Sequence, residues 1–535
     1  MPVEFLSDEQ VAEYGRFTGE LSRTDVEGFF YLTESDLRLV AQRRSDVHRI
    51  GFGVQLGTVR ALGRFLEDPL DVPWLAVEFV AEQLGIADPS RAKQYLDRPK
   101  TAYEHAWEIR TKRGYHLFEE PDADVQFQRF LDARTWTQAE GPVALFEHCV
   151  VWLRRSRILL PGVTVLARRV STAREEADAR LYRAVADATR RFDPVLPGRA
   201  AELLLVLAGS RVSELERLRR APRRGTGPEM VKALERVKDI AHLHVGEVDL
   251  DDIPVNRLTV MARVGLGAKS SALARMSEPK RTAILVAVLR HLEANAVDDA
   301  LDLFALLMAT KLFSPARRAS QEQRLETLPR LEHASRTVAL ATQALLEAMD
   351  AAGDTPLDAS VLWTVLEQIA PRAEVVAAVG LIEELVPDDE SSADAAMHAA
   401  LAGRYLTVRP FVTLLGELPA LHAAPGGAGV LAATRSLPEL LRRRVTQKPL
   451  TAADIDTSLV TPTWKRIVYI DNGETVNRNA YVVCVLEHLH RALGRRDIHA
   501  RPSQRWSDPR ARLLWFAVAM LIGVALGVRA YMTAT

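Results

Sequence analysis

The chain holds 535 residues, 48% of them hydrophobic and 26% charged, with a formal net charge of -1. That composition excludes a disordered chain and a polycation, and the length leaves room for roughly three or four domains, so any contact with nucleic acid must rest on local positive charge. Two cysteines far apart, Cys149 and Cys484, exclude a disulfide framework and fit a reducing cytoplasm, while the acidic, polar opening MPVEFLSDEQ is neither a secretory signal nor a transit peptide.

In chain order the text reads as helix after helix. Ser7 with Gln10 forms a capping box, and Gly15 stops the short helix it opens. Thr33 with Asp36 is a second start signal, for a helix with Leu37, Val40 and Ala41 on one side and Arg43 and Arg44 at its end. Phe52, Leu56, Val59 and Leu66 recur at helical spacing. Pro73 suits a first helical position, and Trp74, Val77, Val80 and Leu84 form a stripe closed by Gly85. Thr101 with Glu104 predicts another capping box. The helix it opens carries Tyr103, Ala106, Trp107 and Arg110 on one face, loads its last turn with Arg110, Lys112 and Arg113, and ends at Gly114. Residues 147–160 (EHCVVWLRRSRILL) predict a helix with a second basic cluster, Arg154, Arg155 and Arg157, broken by Pro161-Gly162.

From 163 to 350 the pattern stays helical, with breaks at Pro194–Pro197, at Pro222–Pro228 and near Pro279. Ala/Leu-rich helices fill 331–445. Strand-like text first appears at 466–470 (RIVYI), followed by the turn signal Asp471-Asn472-Gly473, and helical text returns at 480–493. The expected fold is therefore mainly α, several packed helical modules with a small strand-containing piece near 464–473. Residues 513–528 are uncharged, a run of 16 flanked by arginines. This is short of the roughly 20 a bilayer needs, and suits a marginal tail anchor, a core helix or an unnatural end created by truncation or frameshift.

No self-contained active site emerges. Asp471 ends a hydrophobic run, as the first metal ligand of an RNase H-like nuclease does, but Asp-Asn-Gly is equally a local turn, and that is the expectation here. Asp298, Asp299 and Asp302 lack the glycine and final glutamate of a calcium loop and read as a solvated helix face. The run from Gly265 to Ser270 lacks phosphate-loop spacing. His242 with His244, and His488 with His490, are too few for a metal site. The charge distribution says more. Residues 91–230 carry 26 Lys/Arg against 19 Asp/Glu, a balance of +7, whereas residues 1–90 sum to -8. Such asymmetry marks either a partner surface or a solvated arginine-rich face.

The wording of particular segments goes further. FLSDEQVAEYGRF, the run from FFYLTESDLRLV to ALGRFLEDP, and VPWLAVEFVAEQLGI resemble the opening domain of Tn3-family transposases. The resemblance continues through YEHAWEIRTKRGYHLF, EHCVVWLRRSRILLPGVTVLARRV, KRTAILVAVLRHLEANAVDDALDLFALL and GRYLTVRPFVTLL. Its last block runs from TPTWKRIVYIDNGETVNRNAYVVCVLEHLH to SDPRARLL. These blocks stand in family order. The resemblance implies replicative transposition, with binding of double-stranded DNA at the terminal inverted repeats and homodimerisation, and with neither a small-molecule substrate nor a membrane as partner. It implies a DNA-binding domain at 1–165 and a second DNA-binding or linking region at 166–330. A dimerisation and scaffold region follows at 331–455, then the start of the scaffold or catalytic portion at 456–514 and a divergent apolar tail at 515–535. The DNA-contacting residues it points to are Lys93, Lys100, Arg110, Lys112, Arg113, Arg154, Arg155 and Arg157. The family's Asp-Asp-Glu, magnesium-dependent domain would follow the point near Leu514 where the resemblance stops. The expectation is thus a truncated chain, catalytically inactive alone, with no catalytic or metal-binding residue and no cofactor, magnesium belonging to the missing domain. The alternatives are a helical protein-interaction scaffold and a tail-anchored membrane protein, both without DNA binding.

Overall fold

The computed structural model describes residues 5–353, 356, 358–385, 392–443 and 449–510. Helices dominate these residues, joined by two small two-stranded sheets, so the fold is mainly α as expected. The chain divides into two compact units, Met1–Ala201 with Asp249–Val288, and Glu202–Val248 with Leu289–Thr535. The apolar run 513–528 lies outside the described residues.

In the first unit, helices α1 (Arg23–Phe30), α2 (Glu34–Val40), α3 (Asp46–Leu62), α4 (Trp74–Gln83) and α5 (Pro99–Arg113) surround one core. The capping boxes at Ser7–Gln10 and Thr33–Asp36 form as read. Helix α3 is central, with 11 of its 17 residues buried, so it is packed on every side rather than along one stripe. Its glycines make that possible. A Cβ on Gly51 would lie 2.4 Å from the Tyr95 ring, and one on Gly57 would lie 2.0 Å from the Phe30 ring. Each mid-helix glycine costs about 1 kcal/mol against alanine. Burying Phe30, Phe52 and Ile109 completely returns about 1.5–3 kcal/mol apiece.

Helix α5 begins three residues earlier than the Thr101 cap predicts, with no side-chain cap at its start, because Pro99 stands in its first turn and fixes a helical φ there. It buries Ala102, His105 and Ile109, and turns Tyr103 and Trp107 outward. Burial, together with Arg43 and His48, pulls the His105 imidazole down to about 4, so it is neutral at pH 7 and shares a hydrogen bond of 2.7 Å with the Tyr95 hydroxyl.

Helices α6 (Pro121–Thr137), α7 (Pro142–Arg155) and α8 (Val163–Phe192) form a second core around Phe127, Leu131, Leu153, Leu166 and Val170. Helix α7 ends at Arg155 and does not run on to Leu160. Arg157 adopts a left-handed φ of 54°, and Ile158 then pairs with His116 in a short parallel bridge. The glycines near 265 lie in the helix Val255–Gly267, where Gly265 packs against Ile284 and Val288.

In the second unit, α9 (Gly227–Ala241) follows the proline-rich break, and residues from 289 onward of α10 (Glu278–Leu307) lead to α11 (Ser314–Ala352) and α12 (Arg372–Leu385). Then come α13 (Ser392–Ala402), α14 (Tyr405–Gly416), β1 (Leu421–Ala423), α15 (Ala428–Arg442), α16 (Pro462–Val468), β2 (Tyr469–Ile470), β3 (Thr475–Val476), α17 (Arg478–Arg495) and β4 (Ile498–Ala500). β1 pairs antiparallel with β4, Leu421 opposite Ala500, and β2 pairs with β3, Tyr469 opposite Val476.

The strand expected at 466–470 is therefore only two residues long. Pro462 starts a helix, and the i, i+4 pair Trp464 and Val468 is buried, so helical spacing wins over β-branched content. Asp471-Asn472-Gly473 is a turn, as expected, with Asp471 accepting from the Thr475 hydroxyl at 3.1 Å. In the core of this unit Glu487 accepts from the Trp464 indole at 2.8 Å and from Arg491 at 2.6 Å, with His398 3.4 Å away.

The reading of Asp298, Asp299 and Asp302 as a solvated face is overturned. Asp298 is only 1% exposed and accepts from the Ser503 hydroxyl at 2.5 Å and the Gln504 amide at 3.2 Å. Asp299 takes Arg236 at 2.8 Å and Arg505 at 3.1 Å, and Asp302 takes Arg505 and, at 2.7 Å, the Trp506 indole. The acids clasp a loop far along the chain, which local pattern cannot reveal.

Candidate nucleic-acid interface

Helix α5 ends in Arg110, Lys112 and Arg113 and helix α7 in Arg154 and Arg155, and the bridge between His116 and Ile158 brings those ends together. The His116 amide donates to the Arg157 carbonyl at 2.9 Å, and the Leu159 amide donates to the His116 carbonyl at 2.9 Å. The result is a cleft of about 640 Å³ lined by Thr33, Ser35, Arg60, Tyr115 and the cations Lys112, Arg113, Arg154, Arg155 and Arg157. Among the described residues no carboxylate lines it.

One carboxylate stands behind the wall. The Asp36 side chain is wholly buried, bonded to Arg60 at 2.6 Å, to Arg113, and to the Thr33 hydroxyl at 2.7 Å. Burial pushes its carboxyl up, but the bonds from Arg60 and Thr33 outweigh that and hold it below the usual carboxylate range. Asp36 thereby fixes two guanidiniums in the cleft wall, where Arg60 also donates to the Tyr31 carbonyl at 2.9 Å and Arg113 to the Ser35 hydroxyl at 3.0 Å. Arg154 lies half-buried, its guanidinium 5.8 Å from the centre of the Phe29 ring. Arg157 donates to the Arg113 carbonyl at 3.2 Å, tying the last turn of α5 to the end of α7. Burial pushes the Tyr115 hydroxyl up despite the neighbouring arginines, which keeps it a donor. Six cations, two aliphatic hydroxyls and a phenol facing one space suit a polyanion with phosphate oxygens.

Of the eight residues singled out from sequence, five meet in this cleft: Lys112, Arg113, Arg154, Arg155 and Arg157. The other three stand elsewhere. Lys93 is exposed, 5.8 Å from the Trp74 ring centre; Lys100 is exposed and pairs with Glu104 at 3.5 Å; Arg110 is half-buried and falls on the same arc of α5 as Tyr103 and Trp107. Sequence reasoning missed Arg60, which sits in the acidic 1–90 stretch, and it took Thr33 only as a helix cap. The one available signal was the strength of that cap, which places Asp36 and hence its arginine partners.

Among the described residues, no group of three or more His, Cys, Asp or Glu could hold a metal ion. No helix among them is long and apolar enough to cross a membrane.

A family model described as a domain of unknown function, DUF4158, matches residues 5–173, which include the whole cleft. The transposase for transposon gamma-delta of Escherichia coli is 33% identical over 96% of this chain and 49% of its own length. The transposase for Tn4556 of Streptomyces fradiae is 44% identical over 57% of this chain and 35% of its own. The transposase for Tn501 of Pseudomonas aeruginosa is 30% identical over 91% of this chain and 47% of its own. The chain spans about half, or less, of the length of these curated relatives.

Proposed function

We infer from the Tn3 family of transposases, to which this chain belongs, that its first unit is a DNA-binding module for transposon ends in DNA transposition. The cleft grips the phosphate backbone of the terminal inverted repeat. One observation carries this reading: the ends of two helices separated in sequence bring five cations together beside Arg60 of α3, so that six line one space, while the carboxylate that bonds two of them is sealed behind the wall. A solvated arginine face would scatter its charges or pair them outward, and this one does neither.

Phosphate gripping makes affinity steeply salt-dependent, with a slope of about 0.9 per neutralised phosphate on a logarithmic scale. A mobility-shift titration on the repeat flanking the gene, at two salt concentrations and against a scrambled duplex, tests the reading. Preferential binding to the repeat that weakens with salt supports it, and no binding to either duplex defeats it.

Self-association belongs to the same proposal. Helices α11 and α12 expose Leu325, Leu346, Met349 and Val376, apolar side chains suited to a second copy. Sedimentation of the purified chain as a monomer at micromolar concentration would count against a homodimer.

A further inference from the structure

Helix α5 has an outward face that the cleft does not use. Lys100, Tyr103, Trp107 and Arg110 fall within one arc of it at about 100° per residue. Tyr103 is 75% exposed and Trp107 56%, while the opposite face is sealed by Ala102, His105 and Ile109. Two large aromatics one turn apart, left in water on a well-packed helix, mark a contact surface. The same helix ends in Lys112 and Arg113, which line the cleft.

We propose that this row reads base edges in the duplex groove whose backbone the cleft holds. The proposal rests on the reading of the cleft as a DNA site. A rise of about 1.5 Å per residue puts Trp107 about 8–9 Å, and Tyr103 about 14–15 Å, before the cleft cations. The major groove is about 12 Å wide and 8.5 Å deep and admits a helix, so a helix anchored by its last turn on one backbone lays the preceding two turns across the groove. The row's chemistry fits that occupant. It carries a cation at each end; Glu104 beside it is paired with Lys100, and Glu120, near Arg110, is taken by His116 and the Leu117 amide. Arg110 offers the paired donors that match guanine O6 and N7, and the two rings offer apolar contact to thymine methyl groups. A protein partner would find two cations framing the aromatics and further cations, Lys112 and Arg113, in the last turn of the same helix.

Phosphate contacts set affinity for any duplex, whereas this row sets preference. The experiment is a titration of the full chain and of its Tyr103→Ala/Trp107→Ala variant on three duplexes: the inverted repeat, the repeat with every thymine replaced by uracil, and a scrambled duplex. Both side chains are exposed, so the variant should unfold at the wild-type temperature. The wild type should prefer the repeat and bind the uracil duplex, which lacks only methyl groups, at least fivefold more weakly. The variant should lose at least tenfold of the preference for the repeat, keep its salt slope and ignore the uracil change. Unchanged preference, an equal fall on repeat and scrambled duplexes, or a variant altered only in self-association overturns the proposal. If the wild type binds none of the duplexes, the reading of the cleft has failed, and the proposal falls with it.

Discussion

The cationic cleft of the first unit and the acidic clasp of the second are built from the same raw material, clusters of like charge on helices, and end in opposite states. Asp298, Asp299 and Asp302 are answered by their own chain, through Ser503, Arg505, Trp506 and Arg236. Lys112, Arg113, Arg154, Arg155, Arg157 and Arg60 gather around one space, and the buried Asp36 answers only Arg60 and Arg113 of the six. A charge cluster thus becomes structure when the chain supplies the counter-charge and is left without counter-charge for a partner to answer when it does not. Which of the two holds depends on residues distant in sequence.

The sharpest break of this contrast is Asp298→Ala. Removing an acceptor that is 1% exposed and serves several donors should cost about 3 kcal/mol. Denaturant unfolding followed by circular dichroism measures the loss, and hydrogen exchange at 503–506 should speed up. Unaltered exchange there would mean that the clasp does not hold its loop.

The cleft makes the reverse prediction. Lys112→Ala, Arg155→Ala and Arg157→Ala together should weaken DNA binding roughly a hundredfold, about 2.7 kcal/mol, and flatten the logarithmic salt slope by about three. Stability should change by less than about 1 kcal/mol, because these side chains reach solvent. A triple variant that unfolds but binds normally when folded would show the cluster to be structural, like the clasp.

How much of this was legible in the sequence follows the same line. Helix starts at Ser7 and Thr33, the breaks at prolines and the basic ends of α5 and α7 are local features, and local text records them. The two-residue strand at 469–470 was overread because β-branched content hid the i, i+4 spacing of Trp464 and Val468. Arg60 could not be placed in the cleft, nor Asp298 in the clasp, because each owes its role to partners distant in sequence. Five of the eight chosen cations meet because two basic clusters happen to terminate bridged helices.

Asp36 is the one place where the cleft borrows the logic of the clasp, so Asp36→Asn should cost about 2 kcal/mol at pH 7 by leaving Arg60 and Arg113 half-buried without their anion. The folded-state carboxyl titrates below its ordinary value, which is about 3.9, so its contribution is complete above that pH and disappears as pH falls through the lower, folded value. Melting curves of wild type and variant should therefore converge in strong acid and diverge towards neutrality. A constant gap at every pH would assign the cost to packing rather than to charge.

The smallest expected effect separates the two roles most cleanly. Arg157 holds a left-handed backbone at φ 54°, a conformation that costs a residue with a Cβ about 1 kcal/mol and a glycine almost nothing. Arg157→Gly relieves that strain, gives up one hydrogen bond to the Arg113 carbonyl and frees the unfolded chain, three effects of similar size and mixed sign. Thermal unfolding should thus shift by no more than a few degrees. DNA affinity should nevertheless drop about fivefold, with the logarithmic salt slope shallower by about one. A backbone geometry that favours glycine, occupied by an arginine that faces a cleft of cations, is explained if the side chain is there for a ligand. If Arg157→Gly binds as tightly as the wild type, the strained arginine serves only to tie the ends of α5 and α7 together, and the cleft's charge is one cation smaller than its lining suggests.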